Sequence, residues 1–149
     1  MNTSQIRTPY LYILMRTDMT SMNPGKAVAQ GAHAANQFVK TMRNCNSICE
    51  DQTEILHLWE VWENSAVGDD GIPQGFGTTI TLGISSETIL FEVVETAKKM
   101  GCAAEVTFDP SYPLVDGDVV HLIPLHTCGY VFGDKNHLSP LLRQFNLHP

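Results

Sequence analysis

LYILMRTDMTSMNPGKAVAQGAHAANQF, residues Leu11 to Phe38, holds a strand, a turn and a helix in direct succession. Leu11 to Met15 is an unbroken apolar run, the pattern of a central strand covered on both faces. Arg16-Thr17-Asp18 ends it. Asn23-Pro24 then opens a helix. Asn23 offers a side-chain oxygen to the free N–H groups of the first turn, and Pro24, which has no N–H, fits the first helical position. Gly25, Lys26 and Ala27 fall in that first turn, at the positive end of the helix dipole. A helix start with a lysine beside it is a place for an anion.

The helix is predicted to run to about Arg43. Lys26, Gln30, His33 and Gln37 recur on it as one stripe, at i, i+4, i+7 and i+11. Most other positions are small: Ala27, Ala29, Gly31, Ala32, Ala34 and Ala35. Small residues let a helix lie close to a sheet. The polar stripe is then expected to face a cleft or water, because unpaired polar groups are costly to bury. Lys26 stands just after a strand end, where α/β proteins usually hold ligands.

The rest of the chain reads as one domain, residues 10–149, behind a polar tail of residues 1–9 that ends in Thr8-Pro9. Asn44 to Asp51 is a polar break. Thr53 to Asn64 has Ile55, Leu56, Trp59 and Trp62 at helical spacing, a core stripe or a partner face. Residues 66–75 form a Gly/Asp/Pro loop. Phe76 to Ile84 is a strand, with Gly77 and Gly83 as points of close backbone approach. Ser85 or Ser86 caps the next helix, whose core positions are Ile89, Leu90, Val93, Val94, Ala97 and Met100. Gly101 stops it. Cys102 to Phe108 is a strand that stops at Asp109-Pro110, and Tyr112 to Asp118 reads as a loop. Val119 to Ile123 is a further strand or an extended segment, and Thr127 to Phe132 is the fourth strand. Ser139-Pro140 opens a short final helix. Alternation of this kind implies α/β: a three-layer α/β/α arrangement with a mixed sheet of about four strands.

Composition sets bounds on function. Net charge is −7. Ten of the sixteen acids, and no Lys or Arg, lie between Asn44 and Ala97, while Arg7, Arg16, Lys26, Lys40 and Arg43 gather around the motif in sequence. The expectation is a chain with one basic end, compatible with nucleic acid despite its acidic total. No apolar run is long enough to span a bilayer and no leader pattern is present, which makes a cytoplasmic location the expectation. Cys45, Cys49, Cys102 and Cys128 form no C-x-x-C pair. Cys45 and Cys49 share a helical spacing, but no His-x₃₋₅-His or second close pair follows, so reduced thiols without metal are expected.

The segment MRTDMTSMNPGKAVAQGAHAA, residues 15–35, resembles the type 2 peptidyl-tRNA hydrolases. Their signature is an apolar strand, R-x-D, a short loop, then G-K-x-A-A-Q-x-x-H-A. The compact form resembles members carried by bacteriophages. The resemblance implies hydrolysis, without metal or cofactor, of the ester that joins a peptide to the 3′ ribose of tRNA. It implies Lys26 and Asp109 as catalytic residues, with Arg16, Gly25, Gln30, His33 and Thr127 lining the substrate. It also implies a homodimer, with which an apolar Trp59/Trp62 face is compatible. His33 lies about 10 Å beyond Lys26 along the helix, too far to share one reacting atom with it, and reads as a packing residue before it reads as a base. Arg16 and Asp18 read as a strand-end ion pair or as part of the pocket.

Two departures set up an alternative. The family reads D-x-G-x-T after its acid, whereas this chain reads Asp109-Pro110-Ser111-Tyr112-Pro113, and the stretch from Asp109 to Thr127 is longer than usual. The alternative is a non-catalytic protein of the same fold that binds a nucleotide, a tRNA end or a phosphorylated signal molecule.

Overall fold

A computed structural model describes residues 6–45 and 53–149. Eight elements follow in order: β1 (Pro9–Arg16), α1 (Pro24–Cys45), α2 (Thr53–Glu63), β2 (Thr79–Ile84), α3 (Glu87–Lys99), β3 (Ala103–Asp116), β4 (Val119–Asp134) and α4 (Lys135–Leu142). The sheet order is β2-β1-β4-β3. β1 pairs parallel with β2, and β4 runs antiparallel to both β1 and β3. β1 and β3 therefore point the same way, and their carboxyl ends share one rim.

The apolar run of β1 is continuous because two layers use it. Leu11, Ile13 and Met15 join Phe38 and Met42 of α1 and Leu58 and Trp62 of α2 in one core. Tyr12 and Leu14 join Leu90, Val93 and Val94 of α3 and Leu138 and Leu142 of α4 in the other. Burial of each such side chain contributes about 1.5–3 kcal/mol. The small residues of α1 do what their size suggests: Ala34 is fully buried, and a Cβ at Gly31 would lie 4.0 Å from Met15 Cε. Trp62 meets Phe38 edge-on at 5.4 Å and donates its indole N–H to the Thr78 carbonyl at 2.9 Å. It is spent in this chain's own core and offers nothing to a second copy; Trp59 packs against the same cluster. Gly77 and Gly83 are close approaches: a Cβ at Gly77 would sit 2.6 Å from the Trp62 carbonyl oxygen, and one at Gly83 would sit 2.9 Å from Thr17 Cγ2.

Three readings change. First, β3 does not stop at Asp109-Pro110. It runs to Asp116 and turns through Gly117 (φ 60°) into β4, so the expected loop is the outer part of a long hairpin. Pro110 and Pro113 do not break it, because β3 is an edge strand and an edge tolerates a missing N–H. Second, α4 begins at Lys135, not at Ser139-Pro140. Asp134 is its cap, with Oδ2 accepting the His137 N–H at 3.1 Å, and Pro140 lies inside the helix. Third, the bases do not gather at one end. Arg7 pairs with Glu54 and Arg16 with Asp18, while Lys26 and Arg43 stand at opposite ends of α1, roughly 25 Å apart at the helical rise. Cys49, with most of the polar break and residues 1–5 of the tail, lies outside the described residues. Among the described residues no group of three His, Cys, Asp or Glu side chains is arranged to hold a metal, and no helix is long and apolar enough to cross a membrane.

Candidate active site

Two irregularities in the β3–β4 ladder aim the polar residues. Between Thr107 and Phe108 the register shifts because β4 carries one extra residue, Thr127. Side chains alternate along a regular strand, but across this bulge Thr127 and Cys128 both turn toward α1. Between Asp109 and Tyr112 the shift is on β3, and the original register returns beyond it. Asp109 and Thr127 therefore share a short dislocated stretch, both under α1.

Gln30 joins them. Its Nε2 donates to Asp109 Oδ2 at 2.7 Å, and its Oε1 accepts from the Thr127 hydroxyl at 2.5 Å. The Cys128 thiol reaches the Gln30 carbonyl at 3.3 Å. Gln30 is 2 % exposed, Asp109 7 % and Thr127 0 %. The other oxygen of Asp109 accepts the Ser111 backbone N–H at 2.9 Å and, more loosely, its hydroxyl at 3.4 Å. Burial pushes the Asp109 carboxyl up. The Gln30 amide, the Ser111 N–H, the nearby His33 charge and the Ser111 hydroxyl outweigh it and hold the group below the ordinary carboxylate value. Asp109 is thus a buried carboxylate kept ionised.

Lys26 stands one turn before Gln30, on the same side of α1. Its ammonium donates to the Pro113 carbonyl at 2.6 Å and lies 5.0 Å from the centre of the Tyr112 ring. The Tyr112 hydroxyl meets Ser21 Oγ at 3.1 Å, which ties the outer hairpin to the loop before α1. Asn23 caps that helix as expected, its side-chain oxygen taking the Lys26 backbone N–H at 2.8 Å. Lys26 and Asp109 form no direct ion pair among the described residues. They are linked through the chain, since Lys26 grips the strand four residues beyond Asp109.

The polar stripe of α1 is not solvated along its length. Gln37 donates to Glu105 at 3.1 Å and accepts from Thr107 at 2.8 Å, and Thr41 donates to Glu105 at 3.0 Å. Gln30 and Gln37 thus form a paired polar seam against β3. No buried side-chain nitrogen or oxygen of the described residues lacks a partner. His33 is exposed, not packed as its alanine neighbours suggested. Gly25 is exposed as well, and a Cβ there would meet nothing nearer than Asn23 Oδ1 at 3.6 Å. Arg16 forms a two-pronged pair with Asp18 at 2.9 and 2.8 Å, reaches Glu87 at 3.3 Å, and donates to the His126 carbonyl at 3.0 Å. It braces the rim and makes no hydrogen bond to the Gln30 cluster. Tyr112 and Pro113 had no signal in the sequence, where prolines made their stretch a loop.

The family model of peptidyl-tRNA hydrolase PTH2 matches residues 10–117, which include Lys26, Gln30 and Asp109 and stop short of Thr127. A solved structure of a protein of unknown function from Agrobacterium tumefaciens strain C58 is similar over 97 % of this chain and 100 % of its own. Its TM-score is 0.55 and its identity 8 %, a likeness of fold alone. No curated protein matches. Most of the chain lies inside the family match, and the helix start and the buried acid fall within it: the chain belongs to the peptidyl-tRNA hydrolase PTH2 family.

Proposed function

We propose that this protein hydrolyses the ester bond of peptidyl-tRNA, releasing the peptide and free tRNA. The observation that carries the reading is the convergence of Lys26, Gln30, Asp109 and Thr127 on one side of the sheet rim, built from α1, β3 and β4. Ester hydrolysis needs a water held for attack, positive charge at the developing oxyanion, and a way out for the alcohol. Asp109 is ionised and has acceptor capacity left on Oδ2 for that water. The Lys26 ammonium uses one of its three donors on Pro113 and keeps two for the carbonyl oxygen of the ester.

Water adds to the ester carbonyl, and its proton goes to Asp109. The negative charge on the tetrahedral carbon's oxygen meets Lys26. Collapse breaks the bond to the 3′ ribose oxygen, which leaves with the proton. Gln30 and Thr127 are too buried to bind substrate by touch. They act as positioning residues, fixing the rotamer and charge of Asp109. The scheme uses only side chains and water.

The test is release of N-acetyl-amino acid from N-acetyl-aminoacyl-tRNA. Lys26→Ala and Asp109→Asn are each expected to slow it by at least about a hundredfold, the scale of losing one oxyanion or proton-transfer group. Folded wild-type protein that binds the tRNA and releases nothing would return the chain to the binding-protein reading.

A further inference from the structure

The dislocated stretch that carries Asp109 and Thr127 under α1 has a second face. Phe108 and His126 are the residues beside them, and they pair across the strands. By strand alternation they point to the opposite side, where α3 packs. There His126 sits between two rings: Phe91 of α3, at 5.0 Å and 80°, and Phe108, at 5.2 Å and 50°. Neither phenylalanine belongs to the core beneath them. Phe108 is 53 % exposed and Phe91 37 %. The cluster is held in place from below, because Arg16 donates to the His126 carbonyl and Glu87 lies 3.5 Å from His126 Nδ1.

We propose that Phe108, His126 and Phe91 form a stacking platform for an unpaired base of the tRNA 3′ end. The proposal rests on the hydrolase reading above, since it concerns the same substrate. Three observations support it. The platform and the catalytic carboxylate occupy consecutive residues of one strand, on the order of 10 Å apart across the ribbon. The last pair of β1 with β4 is Met15 with Cys128, so beyond it β4 has no strand beside it on that edge, where the Arg16 side chain takes the His126 carbonyl. The charged groups beside the rings are Asp18, Glu87 and an Arg16 already paired to both. No Lys or Arg lies between Met100 and Asp134. Among the described residues the cation seen beside the rings is this paired Arg16, which favours a neutral ring over a phosphate, and unstacked bases are commonly held on such side chains.

The experiment uses the full chain and a tRNA acceptor-stem minihelix whose 3′-terminal adenine is replaced by 2-aminopurine, a base whose fluorescence falls on stacking. Wild-type protein is expected to quench it. Phe108→Ala is expected to abolish most of the quenching and to weaken binding about tenfold, the scale of one lost stack. Phe108→Tyr should restore both and Phe108→Leu should not. Phe91→Ala, farther from the strand, supplies a second reading, and circular dichroism verifies folding. Val120→Asn, on the same face nearer the hairpin tip, should leave the quenching intact. Unchanged quenching in Phe108→Ala overturns the proposal. So does an oligomeric state that shifts in Phe108→Ala without loss of quenching, which would make the rings a contact between copies. Absence of quenching in the wild type overturns it too, and hydrolysis measured on the same sample tells whether the enzymatic reading falls with it.

Discussion

Gln30 is the residue whose replacement tests the site most directly. Gln30→Ala removes the 2.7 Å donor to an ionised Asp109 and the acceptor of a fully buried Thr127 hydroxyl. A charge-assisted hydrogen bond is worth about 1.5–3 kcal/mol and an orphaned buried hydroxyl costs about 1–3 kcal/mol, together on the order of 4 kcal/mol. In a chain of 149 residues that lowers the melting temperature by roughly 10 °C. Gln30→Glu has the same shape and a different signature. The introduced carboxylate still accepts from Thr127 but faces Asp109 at hydrogen-bond distance, and two such carboxylates cannot both ionise. A split of about 3 pKa units between them corresponds to about 4 kcal/mol. The introduced carboxyl is raised in the folded protein. Its share of stability is present below the unfolded carboxyl value and is lost as pH rises through the raised one. The wild-type Asp109 is depressed, so its share is present above the ordinary value of 3.8 and is lost only as pH falls below that. Urea unfolding at pH 4.5 and pH 8 should therefore show the variant near wild type in acid and several kcal/mol behind it in base. An equal gap at both pH values, or a loss under about 0.5 kcal/mol for Gln30→Ala, would refute the network as drawn.

Other outcomes follow from the same geometry. Because hydrogen bonds hold Asp109 ionised, its titration should not limit hydrolysis between about pH 5 and pH 8, and any acid limb it causes lies below about pH 4; an Asp109 carboxyl carbon signal that titrates above about pH 5 in NMR would contradict this. Gly77→Ala puts a methyl group 2.6 Å from the Trp62 carbonyl and should cost about 1–3 kcal/mol in urea unfolding, whereas no loss would mean that the approach is not tight. The Cys102 thiol is pushed up to about 11 by burial and by Asp134. At pH 8 its alkylation should be on the order of a hundredfold slower than that of an unstructured cysteine, read by peptide mass spectrometry.

The layered fold was legible because its signals are local. An apolar run at Leu11–Met15, the Asn23-Pro24 helix start, and the Ser86 to Gly101 start and stop each specify an element by short-range chemistry, and element order then limits the topology. The Gly-Lys helix start was legible for the same reason, whereas Asp109 was singled out by the family resemblance, and the strand end expected at it is not there. The outer hairpin was not. Pro110, Pro113 and Gly117 are turn formers in sequence, and only their position on an edge strand makes two of them compatible with a ladder. Nor could the pattern show that Gln30 is buried. A polar stripe on a helix looks alike whether it meets water or a matching row of polar side chains. Asp109, Thr107 and Glu105 supply that row from a strand far along the chain.

The two register shifts in the hairpin have opposite sense, so their effects cancel: Ala103 to Thr107 and Tyr112 to Asp116 obey one pairing rule, and only Phe108 and Asp109 depart from it. A paired deletion, of Thr127 on one strand and Ser111 on the other, would erase the departure and leave every other pairing as it is. Such a shortened chain would keep its layers and its hairpin, and Asp109, two residues after Thr107, would still face α1, but without the Ser111 N–H and without the Thr127 hydroxyl that holds Gln30. It would separate the presence of the two reacting groups from the framework that fixes one of them, in a molecule of the same outline.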